Sequence, residues 1–137
     1  IAIGQGLGDN TVAALVTRGT AEISRLGTTL GGKRETFAGL SGIGDLVVTC
    51  CSGHSRNRTV GYRIGGGESV DEILDSMDQV AEGISTAKAV HHLRQKLDVE
   101  MPISETVYRI VHEGLAVEEG IELTGPGAPR PLERPVA

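Results

Sequence analysis

Aromatic residues are almost missing from this sequence: it has no tryptophan, one phenylalanine (Phe37) and two tyrosines (Tyr62 and Tyr108) in 137 residues. That scarcity excludes nucleic-acid binding of the kind that stacks bases on aromatic rings. Cysteine is limited to the adjacent pair Cys50 and Cys51. Sequence neighbours rarely bridge and no third thiol exists, so a disulfide framework is excluded and core thiols in a reducing cytoplasm are expected. No apolar run approaches the roughly 18–20 residues that span a bilayer, and no cleavable signal is legible; membrane insertion is not expected. Positive charge is also in deficit. With 13 Lys and Arg against 18 Asp and Glu the net charge is −5, which gives no general attraction to nucleic acid.

What is present is a chain of single-domain length, 39% apolar and drawn mostly from Leu, Ile, Val and Ala. Such side chains suit packed helices. After a glycine-rich opening, IAIGQGLGDN, Asp9 or Asn10 can cap a helix over about 11–30. Val12, Leu15, Val16, Ile23, Leu26 and Leu30 would form its inner face, and Gly31-Gly32 its stop. A helical turn is expected around Phe37. The run 41–51, SGIGDLVVTCC, is a buried strand or a buried helix; periodicity does not decide. Residues 55–64 open a helix with a polar turn. Ser69 and Glu72 form a capping box before VDEILDSM. Residues 83–98 turn Ile84, Ala87, Val90 (or His91), Leu93 and Leu97 inward. Pro102 starts a helix whose Ile103, Val107, Ile110 and Val111 face the core and which ends at Gly114. A last short helix covers 116–123. The prediction is an all-α fold of about six to eight helices over 1–124, with an extended or disordered tail over 125–137.

Three features bear on chemistry. Gly4, Gly6 and Gly8 follow an apolar stretch, but their G-x-G-x-G spacing is not the dinucleotide fingerprint, and no second strand follows; a hinge or loop is expected. The turn Ser55-Arg56-Asn57-Arg58 brings a planar guanidinium, a hydroxyl and an amide to a helix start, where free N–H groups favour a phosphate. Asp45 sits in an otherwise apolar run, where a carboxylate needs a partner; it orients a catalytic group or binds substrate, or it is an N-cap or pairs with Arg18 or Arg56. His91, His92 and His112 lack metal-site spacing, so no metal is expected, and Met77 and Met101 read as core filler.

The stretches TRGTAEISRLGTTLGGKRETFAGLSGIGDLVVTC, SGHSRNRTVG, VAEGISTAKAV and EMPISETVYRIVHEGL, in that order through residues 4–115, resemble the C-terminal domain of bacterial NAD(P)-dependent glycerol-3-phosphate dehydrogenase. The resemblance implies an all-α substrate domain that packs on an N-terminal Rossmann domain. It also implies reduction of dihydroxyacetone phosphate to sn-glycerol 3-phosphate for glycerophospholipid synthesis, in the cytoplasm. Carried over by motif, Asp45 is the substrate-site carboxylate and the catalytic contribution of this chain. Thr49, Ser55, Arg56 and Asn57 bind the phosphorylated substrate. Arg56, Val80 and Glu82 approach NAD or NADP. The family's lysine would precede Ile1, so the chain by itself is expected to be inactive. The loop between Ile3 and Gly8 is roughly half a dozen residues shorter than the family pattern. A homodimer is compatible with this reading. The rival is a non-catalytic helical dimerisation or interaction module.

Overall fold

The computed structural model describes residues 1–79 and 81–125. Among them are eight α-helices and no strand, as the composition and periodicity predict. They are α1 (Asp9–Thr29), α2 (Arg34–Ala38), α3 (Asp45–Cys51), α4 (Arg56–Gly65), α5 (Val70–Asp75), α6 (Glu82–Leu97), α7 (Pro102–Glu113) and α8 (Val117–Thr124). The expected tail from 126 onward lies outside the described residues.

Several boundaries follow directly from local chemistry. Gly31 and Gly114 take the left-handed conformation just after α1 and α7, with φ of 89° and 71°, where an L side chain is disfavoured. The Ser69 hydroxyl accepts from the Glu72 amide at 3.3 Å, while the Glu72 carboxylate accepts from the Ser69 amide at 3.1 Å. These bonds from Ser69 hold the Glu72 carboxyl below its ordinary value. Pro102 occupies the first turn of α7. The start of α1 differs from expectation: Gly8 is its N-cap and Asp9 lies inside the first turn.

The run 41–51 resolves as helix. Leu40–Gly44 is a π-helical turn that leads straight into α3. It is only partly buried, short of the sequence reading: Val47 is 41% and Val48 64% exposed, while Leu46, Thr49 and Cys50 are half-buried. No described element covers Val47 and Val48, so part of the run's apolar content is uncovered surface, the rest facing inward.

The buried cluster joins Val60 and Ile64 of α4, Ile73 of α5, Ala81 just before α6, and Ile110 of α7. Met101 is buried and Met77 packs on this cluster, as core filler should. A four-residue step places Val60 and Ile64 on one face of α4, and this anchors the helix while its first turn projects beyond the core. Between α1, α4, α6 and α7 lies an apolar hollow of about 510 Å³, partly open to solvent, with Val12, Leu15, Val16, Ile103 and Val107 on its walls. The inner face predicted for α1 therefore only half closes. Ile23 and Leu30 remain exposed, whereas Glu22 is 3% exposed.

Helix α1 is held instead by polar side chains at i, i+4 and i+7. Arg18 donates to the carbonyl of Thr124 at the end of α8, and Arg25 to the carbonyl of Glu100 beyond α6. Between them the Glu22 carboxylate accepts from the Ile103 amide at 2.7 Å, the Ser104 amide at 3.0 Å and the Ser104 hydroxyl at 2.8 Å. It thus caps α7, whose own N-cap residue, Met101, offers no acceptor side chain. The charge signs match the helix dipole: an anion at an N-terminus, a cation at a C-terminus.

The glycine-rich opening forms a hydrogen-bonded turn, with the Gln5 amide donating to the Ile1 carbonyl and the Leu7 amide to the Ala2 carbonyl. It lies on the glycine face of α4. A Cβ on Gly65 would stand 2.1 Å from the Ile1 carbonyl oxygen, and one on Gly4 2.1 Å from that of Tyr62. These glycines serve a backbone-on-backbone approach, not a free hinge.

Candidate functional site

The first turn of α4 gathers the polar residues singled out by the sequence. Ser55 is the N-cap, its hydroxyl accepting from the Arg58 amide at 3.2 Å. The amides of Arg56 and Asn57, in the first turn, have no intrahelical acceptor and carry the positive end of the helix dipole. The Arg56 guanidinium leaves this turn, exposed, and donates to the Gln79 side-chain oxygen at 2.5 Å.

Asn57 reaches across to α6. Its Oδ1 accepts from the Gly83 amide at 2.9 Å, capping a helix whose N-cap, Ala81, has no side-chain acceptor. A Cβ at position 83 would sit 2.8 Å from that oxygen, so the approach depends on glycine. The remaining Nδ2 of Asn57 keeps two donor hydrogens for a ligand. Glu82 is the first residue of α6 and is exposed. The turn at 55–58 and the entry of α6 are therefore tied at two points, Arg56 to Gln79 and Asn57 to Gly83. Val80 lies outside the described residues.

Thr49 and Asn57 share the wall of the apolar hollow with Cys50 and Arg58. The Arg58 Nε is buried without a hydrogen-bond partner. Asp45, the first residue of α3, is exposed. Among the described residues it makes neither of the suggested ion pairs: Arg18 is engaged with Thr124 and Arg56 with Gln79. Nor is it an N-cap. Its place in the first turn of α3 accounts for a carboxylate there, because exposure removes the desolvation cost assumed from its apolar neighbours.

The three histidines weighed as metal ligands, His91, His92 and His112, are elsewhere. Half-buried His91 stacks on Tyr108 with ring centres 3.7 Å apart and bonds Glu105 through Nδ1 at 2.7 Å, and His112 Nε2 meets the Ile84 carbonyl. The cysteines are not the core thiols expected. Cys51 is exposed and Cys50 half-buried, with burial, followed by its neighbour Cys51, pushing the Cys50 thiol above its ordinary value. Less thiolate means slower alkylation. Iodoacetamide at pH 8 should modify Cys51 several-fold faster than Cys50, read by peptide mass spectrometry; equal rates would contradict this placement.

Sequence reasoning missed Gln79, Gly83 and Glu22. None stands in a pattern that announces its partner, which lies 23, 26 or 81 positions away.

Comparison with known proteins adds a second line. Residues 1–122 match the family model described as NAD-dependent glycerol-3-phosphate dehydrogenase C-terminus. Glycerol-3-phosphate dehydrogenases (NAD(P)+) of Staphylococcus aureus strains JH9 and JH1 are 54% identical over 122 residues, covering 89% of this chain and 37% of theirs. The crystal structure of a glycerol-3-phosphate dehydrogenase from Coxiella burnetii superposes with a TM-score of 0.85 at 43% identity, covering 88% of this chain and 37% of that one. The chain thus spans well under half the length of the relatives it matches.

Proposed function

We infer, from the premise that the chain belongs to the family of NAD-dependent glycerol-3-phosphate dehydrogenase C-termini, that it is the substrate-binding part of an enzyme reducing dihydroxyacetone phosphate to sn-glycerol 3-phosphate. The observation that carries this reading is the joined arrangement of Arg56 and Asn57 with the entry of α6. A phosphorylated three-carbon ketone offers one dianion and one carbonyl. Arg56, the amide of Asn57 and the free N–H groups of α4 supply a permanent cation and neutral donors for the dianion. Ser55, busy as the cap, shapes the turn and presents its remaining hydroxyl hydrogen. Thr49 borders the same region from α3.

The described residues fit only the edge of a nicotinamide cofactor. They contain no strand, glycine turn and helix in the order that would take a pyrophosphate, whereas Glu82, beside the Arg56 turn, can contact the cofactor's rim. Val80 is proposed for the same role. When bound, NAD(P)H supplies the hydride. Asp45, free of any ion pair among the described residues, is available to hold a cationic acid contributed from outside this chain, whose charged form a carboxylate favours. The reading places the protein in the cytoplasm, working with an upstream Rossmann domain and as a homodimer.

A chimera joining this chain to the upstream part of the S. aureus relative tests the reading. It should oxidise NADH in the presence of dihydroxyacetone phosphate. Arg56→Ala should lower kcat/KM about 10- to 150-fold, corresponding to about 1.5–3 kcal/mol for a charged hydrogen bond. An unchanged kcat/KM in Arg56→Ala, or a chimera that melts cooperatively yet shows no turnover, would overturn it.

A further inference from the structure

We propose that the hollow between α1, α4, α6 and α7 binds an unbranched aliphatic monocarboxylate, with Arg58 taking the carboxylate and the apolar walls taking the chain. The hollow measures about 510 Å³, within the range of small-molecule sites, which are mostly apolar with a few placed polar groups. Its α1 wall is one stripe, Val12, Leu15, Val16, Gly19 and Ile23, which at 1.5 Å per residue runs about 16 Å. Gly19 stands in the middle of that stripe, and a Cβ there would meet no atom within 4 Å. The space in front of α1 is therefore open where a packed core would place a side chain.

The polar end selects the ligand. Arg58 is the one charged side chain on these walls, and among the described residues no carboxylate lines them. Its Nε is buried without a hydrogen-bond partner, and it makes no ion pair among the described residues. A half-buried cation left this way carries a desolvation cost that an anion offsets. Nε–H and a neighbouring Nη–H form a fork that matches the two oxygens of a carboxylate. A monoanion suits the place better than a phosphate dianion, which has more hydration to lose. Away from this end the walls are mainly aliphatic, with Val90 of α6 and Ile103 and Val107 of α7; they fit an alkyl chain and leave a polyhydroxylated ligand without partners. Ser55 and Arg56 are not on these walls, so the proposal does not rest on the reading of the Arg56 turn.

The test titrates the chain itself by calorimetry with sodium hexanoate, octanoate and decanoate, and with octanol as the uncharged comparison. Binding should saturate at one molecule per chain. Each added methylene should lower Kd about fourfold, the equivalent of about 0.8 kcal/mol per buried CH₂. Octanol should bind about tenfold more weakly than octanoate, and Arg58→Met should remove that preference, octanol then binding at least as tightly as octanoate. No saturable binding of decanoate, equal affinity for octanol and octanoate in the parent chain, or a preference for the acid that survives Arg58→Met overturns the proposal.

A second variant locates the ligand without touching the cation. Gly19→Leu places a side chain in the open space, and leucine is also the better helix former. The variant should melt at or above the Tm of the parent chain while its affinity for decanoate falls about tenfold or more, because the chain's place is taken. Parent-like affinity in Gly19→Leu would put the ligand elsewhere. A Tm well below that of the parent would mean that the space is already filled by the protein. Either result sinks the proposal.

Discussion

Replacing Glu22 by alanine should destabilise the domain by about 3–5 kcal/mol, the largest loss expected from any single polar side chain described here. The carboxylate is 3% exposed and accepts three hydrogen bonds at the start of α7. Truncation strands the Ile103 and Ser104 amides in a part-buried place where the chain offers no substitute acceptor, since the preceding residues are Met101 and Pro102. It also removes an anion from the positive end of a 12-residue helix. A loss of this size corresponds to a fall in Tm of roughly 10–20 °C for a domain of this length. Gln at position 22 keeps the shape and one acceptor oxygen but no charge, so its Tm should lie between parent and alanine variant. Thermal melts followed by circular dichroism decide the matter. A fall below 3 °C for Glu22→Ala would mean that water can replace the carboxylate and that the bonds contribute little.

Alanine at Gly65 should have the next largest effect, by a different route. The added Cβ would lie 2.1 Å from the Ile1 carbonyl oxygen and 3.0 Å from the Gly4 Cα. Both belong to the backbone, so no rotamer change relieves the clash, and the opening turn has to lift off α4. Overpacking of this kind costs about 1–3 kcal/mol. Hydrogen exchange localises it: the Gln5 and Leu7 amides, which donate to Ile1 and Ala2, should lose protection ahead of α6 and α7. Gly66→Ala is the control, because its Cβ would meet nothing nearer than 3.4 Å. Retained protection at Gln5 and Leu7 in Gly65→Ala would show that the turn does not depend on the contact.

The parts of this fold that were legible in the sequence are those decided within four or five residues. Gly31 and Gly114 end helices because only glycine takes positive φ there without strain. Ser69 and Glu72 cap one another across three positions, and Pro102 needs no amide partner at a helix start. The helical character of α6 and α7 follows from their spacing of apolar residues. What escaped was every decision made by the approach of distant elements. Glu22 reads as a surface residue of an amphipathic helix until α7 presents bare amides to it. The apolar run at 41–51 suggests burial, yet nothing described here covers Val47 or Val48. At the candidate site the sequence identified Ser55, Arg56 and Asn57 as a polar helix start, which they are. It could not show that Asn57 directs its oxygen to Gly83, that Gln79 takes hold of Arg56, or that Asp45 stands apart from both arginines suggested for it.

The polar anchors of α1 also set an order of events during synthesis. The acceptor for Arg18 is 106 positions downstream at Thr124, and the amides that satisfy Glu22 are 81 and 82 positions away. At roughly 5–20 residues per second, α1 leaves the ribosome about 5–20 s before the last of these partners exists. Throughout that interval the part of its contact face that will meet α7 and α8, Arg18, Glu22 and Arg25, is a hydrated stripe of charge. A nascent chain built this way can wait for its own C-terminal helices without presenting that face to its neighbours.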